Sequence, residues 1–357
     1  MGTNPRKLMT KKNIAVLLAA VFFFLVSCSL KSEPSSLSIF YCNNKIYSID
    51  ESKNVNELFS VSSGTRNRAL ALVPGGYLIW DKSQSKLKLY NKKGKILTSE
   101  KFASGQVWIK NNLIFCNDFI YTSNEGFEYS AWSFKSDAFF HTLSLKKIWS
   151  DKIDCFNSDL LFEEDGKILL AGKSKEKEEN NVYIINTKKS DSKAVKIFSY
   201  PKASGFTRLI HSLNKLVIFT SHADKSTADF IIYDADFSSA INVKEQISFS
   251  EYRLSLPDNI SLSCMYGFGF PFENDIVIPF ACGPENESEI SLVRFSFQND
   301  SWLFKSLTEN CGGVNVYLTS DINNSGVWYL SHDVVKDSSL YGAAFYDGNV
   351  VSINYLK

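Results

Sequence analysis

From residue 37 to the C-terminus, short apolar runs of five to eight residues alternate with polar breaks rich in Gly, Asn, Asp, Ser and Lys. The runs are rich in aromatic and β-branched residues, which favour β-strands. No segment in this part has a convincing helical pattern. The pattern therefore predicts one all-β domain over residues 37–357.

The apolar runs recur as a unit of four strands. Each unit has a strand, a tight polar turn, a second apolar strand, a variable loop, a third strand that ends in an aromatic residue with Asp or Asn, and a fourth strand. The clearest unit has strands at 160–162, 167–172, 182–186 and 195–200. Two more clear units begin at Phe206, with its fourth strand expected at 245–249, and at Val314, with its last two strands expected at 344–347 and 350–355. Similar units begin near Ala69, Gly105 and Ser261, and the piece from Leu37 to Ser62 supplies about three strands.

The unit starts are separated by about 35–55 residues, a period at which four-stranded antiparallel units are typical of a β-propeller. Six full units and an incomplete first one predict seven blades, with six as the alternative. A sandwich pair or a solenoid is the other all-β arrangement that the pattern leaves open. Third strands such as Phe230–Asp234 resemble the degenerate repeats of WD-like and quinoprotein-like propellers. The segment from Asp321 to Trp328 resembles a turn of two-component-regulator sensor propellers.

The N-terminus has the three parts of a secretory signal. Arg6, Lys7, Lys11 and Lys12 precede an unbroken apolar stretch, Ile14 to Val26, and Ser27-Cys28 follows. A positive start followed by about 7–15 apolar residues is typical of a signal peptide and short for a membrane span.

The end of this leader, Leu25-Val26-Ser27-Cys28, resembles the lipobox of bacterial lipoproteins. The resemblance implies cleavage before Cys28 and acylation of its thiol. It divides the chain into a signal peptide at 1–27, a polar tether at 28–36 and the β-domain at 37–357. An ordinary signal peptide with an incidental cysteine, or a retained anchor helix, is the alternative. Ser29, and not Asp, follows the cysteine. In lipoproteins of bacteria with two membranes, the absence of Asp at this position favours sorting to the outer membrane.

The charge balance narrows the class of partner. From Cys28 onwards the chain holds 35 of its 39 Lys and Arg residues and all 38 Asp and Glu residues, so its net formal charge is −3. Nucleic-acid binding needs clustered basic residues, and no basic block is present. The composition excludes nucleic acid as the expected partner.

No catalytic pattern stands out in the sequence. A Gly-x-Ser-x-Gly elbow, a His-Glu-x-x-His helix, a phosphate loop and a Cys-x-x-Cys pair are all absent, and the four histidines are scattered. The sequence therefore predicts no catalytic, cofactor-binding or metal-binding residue. It favours a binding or scaffold domain for a protein or glycan partner. A carbohydrate-active hydrolase or lyase with its site over the propeller channel is the alternative.

Six cysteines remain after Cys28, an even number that permits disulfides in an exported protein. Cys282 ends an expected second strand and Cys311 precedes the next unit, so a Cys282–Cys311 bridge is predicted. Cys116 and Cys155 repeat this arrangement more loosely and form the second predicted pair. A turn near Phe270 would place Cys264 opposite about Val277, which leaves Cys264 and Cys42 as expected buried thiols.

Overall fold

The computed structural model describes residues 38–356 except 43, 50–54, 62–68, 111, 123–125, 163–165, 202–206, 213–214, 222–228, 237–248, 256–261, 266–269, 273–274, 283–288, 307–313, 321–326, 333–340 and 347–352. The predicted signal peptide and the tether lie outside these residues.

The described strands form seven antiparallel sheets, labelled A to G in chain order. Sheet A contains β1 (Ser38–Cys42), β2 (Lys45–Ile49) and β3 (Val55–Ser60), and sheet B contains β4 (Leu70–Val73), β5 (Gly76–Asp81), β6 (Lys86–Asn91) and β7 (Ile96–Lys101). Sheet C contains β8 (Val107–Lys110), β9 (Leu113–Thr122), β10 (Gly126–Asp137) and β11 (Thr142–Ile153), and sheet D contains β12 (Phe156–Phe162), β13 (Lys167–Lys173), β14 (Glu179–Asn186) and β15 (Val195–Pro201). Sheet E contains β16 (Thr207–Ser212), β17 (Lys215–Ser221), β18 (Asp229–Asp236) and β19 (Phe249–Ser255). Sheet F contains β20 (Leu262–Met265), β21 (Phe270–Phe272), β22 (Asp275–Cys282), β23 (Glu289–Gln298) and β24 (Ser301–Ser306), and sheet G contains β25 (Val314–Ser320), β26 (Val327–His332), β27 (Tyr341–Tyr346) and β28 (Ile353–Leu356).

The predicted four-stranded units and the three-stranded N-terminal piece are confirmed, except that sheet F has a fifth, short strand, since β20 and β21 both pair with β22. No α-helix occurs in the described part of the chain. Two strand positions were wrong. The fourth strand of sheet E is Phe249–Ser255 and not 245–249, and the third strand of sheet G is Tyr341–Tyr346 and not 344–347. The error in sheet E has a clear cause, because Glu251 and Arg253 of this outer strand are exposed and leave a weak apolar signal. The predicted number of blades in the ring, seven with six as the alternative, stays a prediction.

Neighbouring sheets pack face to face in chain order, so both faces of an inner sheet are buried. Phe59 of sheet A contacts the ring of Tyr77 in sheet B, with the ring centroids 5.3 Å apart. Further along, Phe219 of sheet E packs against Phe295 of sheet F at 4.9 Å. The other apolar clusters join sheets B to C, C to D and D to E through Leu78 and Ile114, Phe115 and Leu170, and Val182 and Ile218, respectively.

The order of the strands defines two ends of the domain. Consecutive strands are antiparallel neighbours, so the turns after the first and third strands of a sheet share one end, here called the first face. The turn after the second strand and the links between sheets lie at the other end, the second face. Only Asp154 and Cys155 join β11 to β12, which keeps sheets C and D in the same orientation. Strand β1 begins at Ser38, at the second face, because it runs in the same direction as β3, whose Phe59 near the end of the strand packs against Tyr77 and Tyr90 at the first-face end of sheet B.

Candidate functional site: a rim of phenylalanine and lysine side chains

Large exposed apolar side chains gather at the first face of sheets B and C. Among the described side chains, five are large, apolar and strongly exposed, and four of them lie here: Leu72 (51%), Ile96 (47%), Phe139 (69%) and Phe140 (78%). The fifth, Leu303, lies in β24. Single exposed apolar residues are normal, whereas a local concentration of them marks a contact surface.

Phe139 and Phe140 form the tip of an extended hairpin. The pairing of β10 with β9 ends at Ser133, which lies opposite Leu113, whereas β10 and β11 stay paired as far as Asp137 and Thr142. Phe134, at the base of this extension, is buried in the apolar cluster between sheets B and C. The hairpin therefore projects beyond the rest of sheet C and packs towards sheet B.

The hairpin tip is held in place by hydrogen bonds. The Oδ1 atom of Asp137 accepts from the backbone N–H groups of Phe139 (2.7 Å) and Phe140 (3.2 Å), which is the geometry of an Asx turn. The N–H of Ala138 donates to the carbonyl oxygen of Pro74, 2.9 Å away in the β4–β5 turn. The next residue in that turn, Gly75, has φ +74°, and a Cβ there would lie 2.8 Å from the Phe139 ring. The two exposed rings are therefore carried on an ordered backbone.

Exposed lysines occupy the equivalent turns of the two neighbouring sheets. In sheet B the Oδ1 atom of Asn91 accepts from the N–H groups of Lys93 (3.0 Å) and Lys95 (2.9 Å). In sheet D the Oδ1 atom of Asn186 accepts from the N–H of Lys188 at 3.1 Å. An Asn or Asp side chain thus shapes the third-to-fourth strand turn in three consecutive sheets. We call the surface that sheets B and C form the rim; it comprises Leu72, Lys92, Lys93, Lys95, Ile96, Phe139 and Phe140, all of which are exposed. The turn of sheet D lies further along β11, where Trp149 Nε1 donates to the carbonyl oxygen of Ser192 at 2.7 Å and the N–H of Ala194 donates to Asp151, so Lys188 and Lys189 are not part of the rim.

Positive charge is concentrated in the same part of the chain. Residues 70–153, which form sheets B and C, contain 12 lysines and 7 acidic residues, a net charge of +5. The rest of the chain from Cys28 onwards therefore carries −8. Asp137 is the acidic residue in the described rim turns of sheets B and C, and its carboxylate is engaged by two backbone N–H groups. The rim is thus cationic beside an apolar tip.

The ionisable groups with shifted pKa values lie in the packing between strands. Burial, and secondarily the charge of Asp81, raises the pKa of Tyr90 to about 12. Burial also raises the pKa values of Tyr183 and Tyr233. Within the described part of the chain, no group of three or more His, Cys, Asp or Glu side chains is placed to hold a metal ion. The described residues include no helix long and apolar enough to cross a membrane.

The predicted Cys116–Cys155 bridge is not formed. Both residues are buried free thiols. Cys116 lies in the cluster between sheets B and C, and Cys155 lies in the cluster between sheets C and D. The two thiols therefore face opposite sides of sheet C, and the body of the sheet separates them.

The Cys282–Cys311 bridge stays a prediction, because Cys311 lies outside the described residues. Cys282 ends β22 as expected. The expected turn near Phe270 was wrong: Phe270 itself pairs with Val277, and Leu262 pairs with Cys282. The sequence analysis left Cys264 unbridged because it expected this residue opposite Val277. The observed register no longer supports that reason. Cys28 lies in the predicted leader segment, outside the described residues, and its acylation stays a prediction.

The sequence analysis missed the rim. Its local signals were present, since Asp137-Ala138-Phe139-Phe140 places a turn-forming residue before two aromatic residues, and Asn91 precedes three lysines within four positions. Lys93 of sheet B and Phe139 of sheet C are 46 residues apart in the chain. Only the stacking of sheets B and C on one another brings their turns together.

Comparison with known proteins identifies the fold. No family model matches the chain, and no curated protein matches it. Among solved structures, Hsv2 of Kluyveromyces lactis is 11% identical with a TM-score of 0.50, over 91% of this chain and 95% of Hsv2. A protein from Lactobacillus plantarum is 11% identical with a TM-score of 0.51, over 90% of this chain and 98% of that protein. A prolyl endopeptidase structure has a TM-score of 0.53 at 7% identity, over 97% of this chain and 55% of that chain. Such low identities establish the fold alone: this chain is an all-β protein with a β-propeller fold of four-stranded antiparallel sheets.

Proposed function

We propose that this chain is a lipid-anchored binding protein of the bacterial cell envelope, with Cys28 as the acylated residue. The propeller serves as a rigid scaffold, and the rim is its contact surface. The observation that carries this proposal is the rim itself: two phenylalanine rings, 69% and 78% exposed, on a hydrogen-bonded hairpin tip beside the lysines of sheet B. Exposing such rings to water is unfavourable unless a partner covers them.

The direction in which the chain enters the domain gives the anchored molecule an orientation. Strand β1 starts at Ser38 at the second face, whereas the rim lies at the first face. The nine residues between Cys28 and Ser38 span at most about 30 Å when extended. We propose that the anchored molecule turns its second face towards the bilayer, so that the rim points away from it and contacts something other than the anchoring lipid.

Metabolic labelling with a fatty-acid analogue tests the anchor. The wild type and Cys42→Ala, a matched control that removes a different cysteine near the N-terminus, should both be labelled. Cys28→Ala should lose the label, because the lipobox cysteine is the group that takes the acyl chains. Equal labelling of Cys28→Ala and the wild type would remove lipid anchoring from the proposal.

Site-specific crosslinking in the native envelope tests the contact surface. A photoreactive residue in place of Phe140 should give adducts, and the same residue in place of Leu303, which is exposed but lies away from the rim, should not. Identification of the adducts from position 140 distinguishes a protein or glycan partner, as the sequence predicts, from a lipid. Equal yields at the two positions would contradict the rim as the contact surface. The carbohydrate-active enzyme alternative stays a prediction.

A further inference from the structure

We propose that the rim docks the propeller onto an anionic lipid surface. The inference rests on the proposed function in one respect, namely that the rim is the contact surface, and adds the chemistry of its partner. The lipid concerned is a surface other than the anchoring bilayer, because the rim lies at the end of the strands opposite to Ser38. An anchored molecule would thereby bridge two surfaces of the envelope.

The projecting shape of the rim suits insertion into the apolar boundary of a lipid bilayer. Phe139 and Phe140 stand at a hairpin tip that extends beyond β9, so they project from the sheet. A projecting ring needs a preformed pocket on a protein partner, whereas the boundary between lipid headgroups and acyl chains accepts it without one. Aromatic and aliphatic side chains that enter this boundary, with Lys on the surrounding surface, are the pattern of proteins that lie on membranes.

The charges of the rim are arranged for an anionic plane. Lys92, Lys93 and Lys95 of sheet B lie on one side of the aromatic tip, because Gly76 packs against both Tyr90, next to the lysine turn, and Ala138 of the hairpin. Sheets B and C thus present cations and aromatic rings side by side at the same end of their strands. Lysine is depleted at the core of protein–protein interfaces, whereas it binds anionic headgroups well. The +5 charge of sheets B and C against −8 in the rest of the domain orients this side towards negative charge.

The hydrogen bonds of the tip hold its backbone in one conformation before docking. Asp137 and Pro74 hold the backbone of residues 138–140 before any contact is made. Insertion of the rings therefore costs little conformational entropy of the backbone. Most of the free energy gained by burying the rings then contributes to binding.

Vesicle co-sedimentation tests the proposal. The chain from Ser29 contains every described strand and core cluster, and its fold is verified for each variant by circular dichroism and thermal melting. It should bind vesicles of phosphatidylcholine with about 30 mol% phosphatidylglycerol, bind pure phosphatidylcholine far more weakly, and lose affinity as salt rises. Phe139→Ser with Phe140→Ser should weaken binding by at least about tenfold. Lys92→Glu with Lys93→Glu should weaken it by about fivefold or more per lysine.

Matched controls separate the rim from general charge. Lys82→Glu with Lys86→Glu changes the same number of exposed lysines on sheet B at the second face, and Leu303→Ser removes an exposed apolar side chain elsewhere. Both should leave binding unchanged. With anionic vesicles, the fluorescence of a Phe140→Trp variant should also shift to the blue relative to the wild type, whose six tryptophans supply the background, and this difference reports insertion at position 140.

The outcomes distinguish this inference from the proposed function. Absent binding to the anionic vesicles, or equal losses in rim and control variants, would overturn the inference. If the vesicles fail to bind while position 140 crosslinks to an acidic protein in the envelope, the lipid partner is wrong and the binding function stands. If Cys28 takes no lipid but the vesicles bind through the rim, the anchor is wrong and the inference stands.

Discussion

The backbone N–H of Ala138 donates to the carbonyl oxygen of Pro74 at 2.9 Å, and this bond joins the hairpin tip of sheet C to a turn of sheet B. A Cβ at Gly76 would lie 2.9 Å from the Cβ of Ala138, so the two turns are also in close van der Waals contact. The rim is consequently a composite of neighbouring sheets and not a loop of one sheet. Its order depends on the correct stacking of the sheets as well as on local turn chemistry.

Removal of the Asp137 side-chain oxygen should loosen the hairpin tip. Asp137→Ala deprives the N–H groups of Phe139 and Phe140 of their acceptor, and we expect the free energy of unfolding to fall by about 1 kcal/mol. Asp137→Asn keeps Oδ1 and should cost much less. Urea denaturation measures both, and amide exchange of Phe139 should quicken in the alanine variant alone. Equal exchange rates in the two variants would contradict the capping role.

The buried ion pair of sheet B should respond unequally to loss of its two partners. Lys88 Nζ lies 2.6 Å from Asp81 Oδ2, and both side chains are buried. Asp81→Ala leaves a buried ammonium group without its carboxylate, and we expect a loss of about 3–5 kcal/mol in the free energy of unfolding. Lys88→Met should cost less, because Asp81 keeps three donors from Ser83 and Gln84. Denaturant titration of the single and double variants measures the coupling; simple additivity would show that the pair is not coupled.

Alkaline conditions should destabilise the domain through its buried thiols. Burial raises the pKa of Cys116 to about 12 and raises the pKa of Cys155 as well, from an ordinary value of 9.0. Above pH 9 the unfolded chain therefore loses protons that the folded chain retains, so stability falls as pH rises. The expected slope is about 1.4 kcal/mol per pH unit for each thiol. Urea titrations between pH 9 and 11 should show a shallower decline for Cys116→Ala with Cys155→Ala; identical slopes would contradict the raised pKa values.

Loss of the last strand should affect the whole domain. Strand β28 (Ile353–Leu356) pairs with β27, so its deletion exposes the edge of β27. An open sheet edge lowers stability and promotes association between chains. Deletion of residues 350–357 should lower the thermal midpoint by several degrees and increase aggregation, whereas deletion of Lys357 alone should not. An unchanged melting transition in the longer deletion would show that ring closure does not depend on this strand.

The sequence by itself determined the strands and most of their turns, because both depend on local chemistry. The inner strands appear as apolar runs of five to eight residues between polar breaks, and Asn91, Asp137 and Asn186 shape turns through their own neighbouring backbone. The repeat of about 35–55 residues then indicated a propeller before any contact between sheets was known. The outer strands were the exception, since exposure on one side interrupts the apolar run, as in β19.

Only the tertiary structure decided which of these elements meet. Cys116 lies in the second strand of its unit and Cys155 at the entry to the next unit, and the short link after β11 puts Cys155 on the side of sheet C opposite to Cys116. As a charged residue in a strand, Lys88 would be expected at the surface from the sequence, but packing buries it against Asp81. The rim joins the lysines of sheet B to Phe139 and Phe140 of sheet C, because the two sheets stack with the same end of their strands on one face. A local pattern encodes each turn, whereas the surface that neighbouring turns form together depends on the packing of whole sheets.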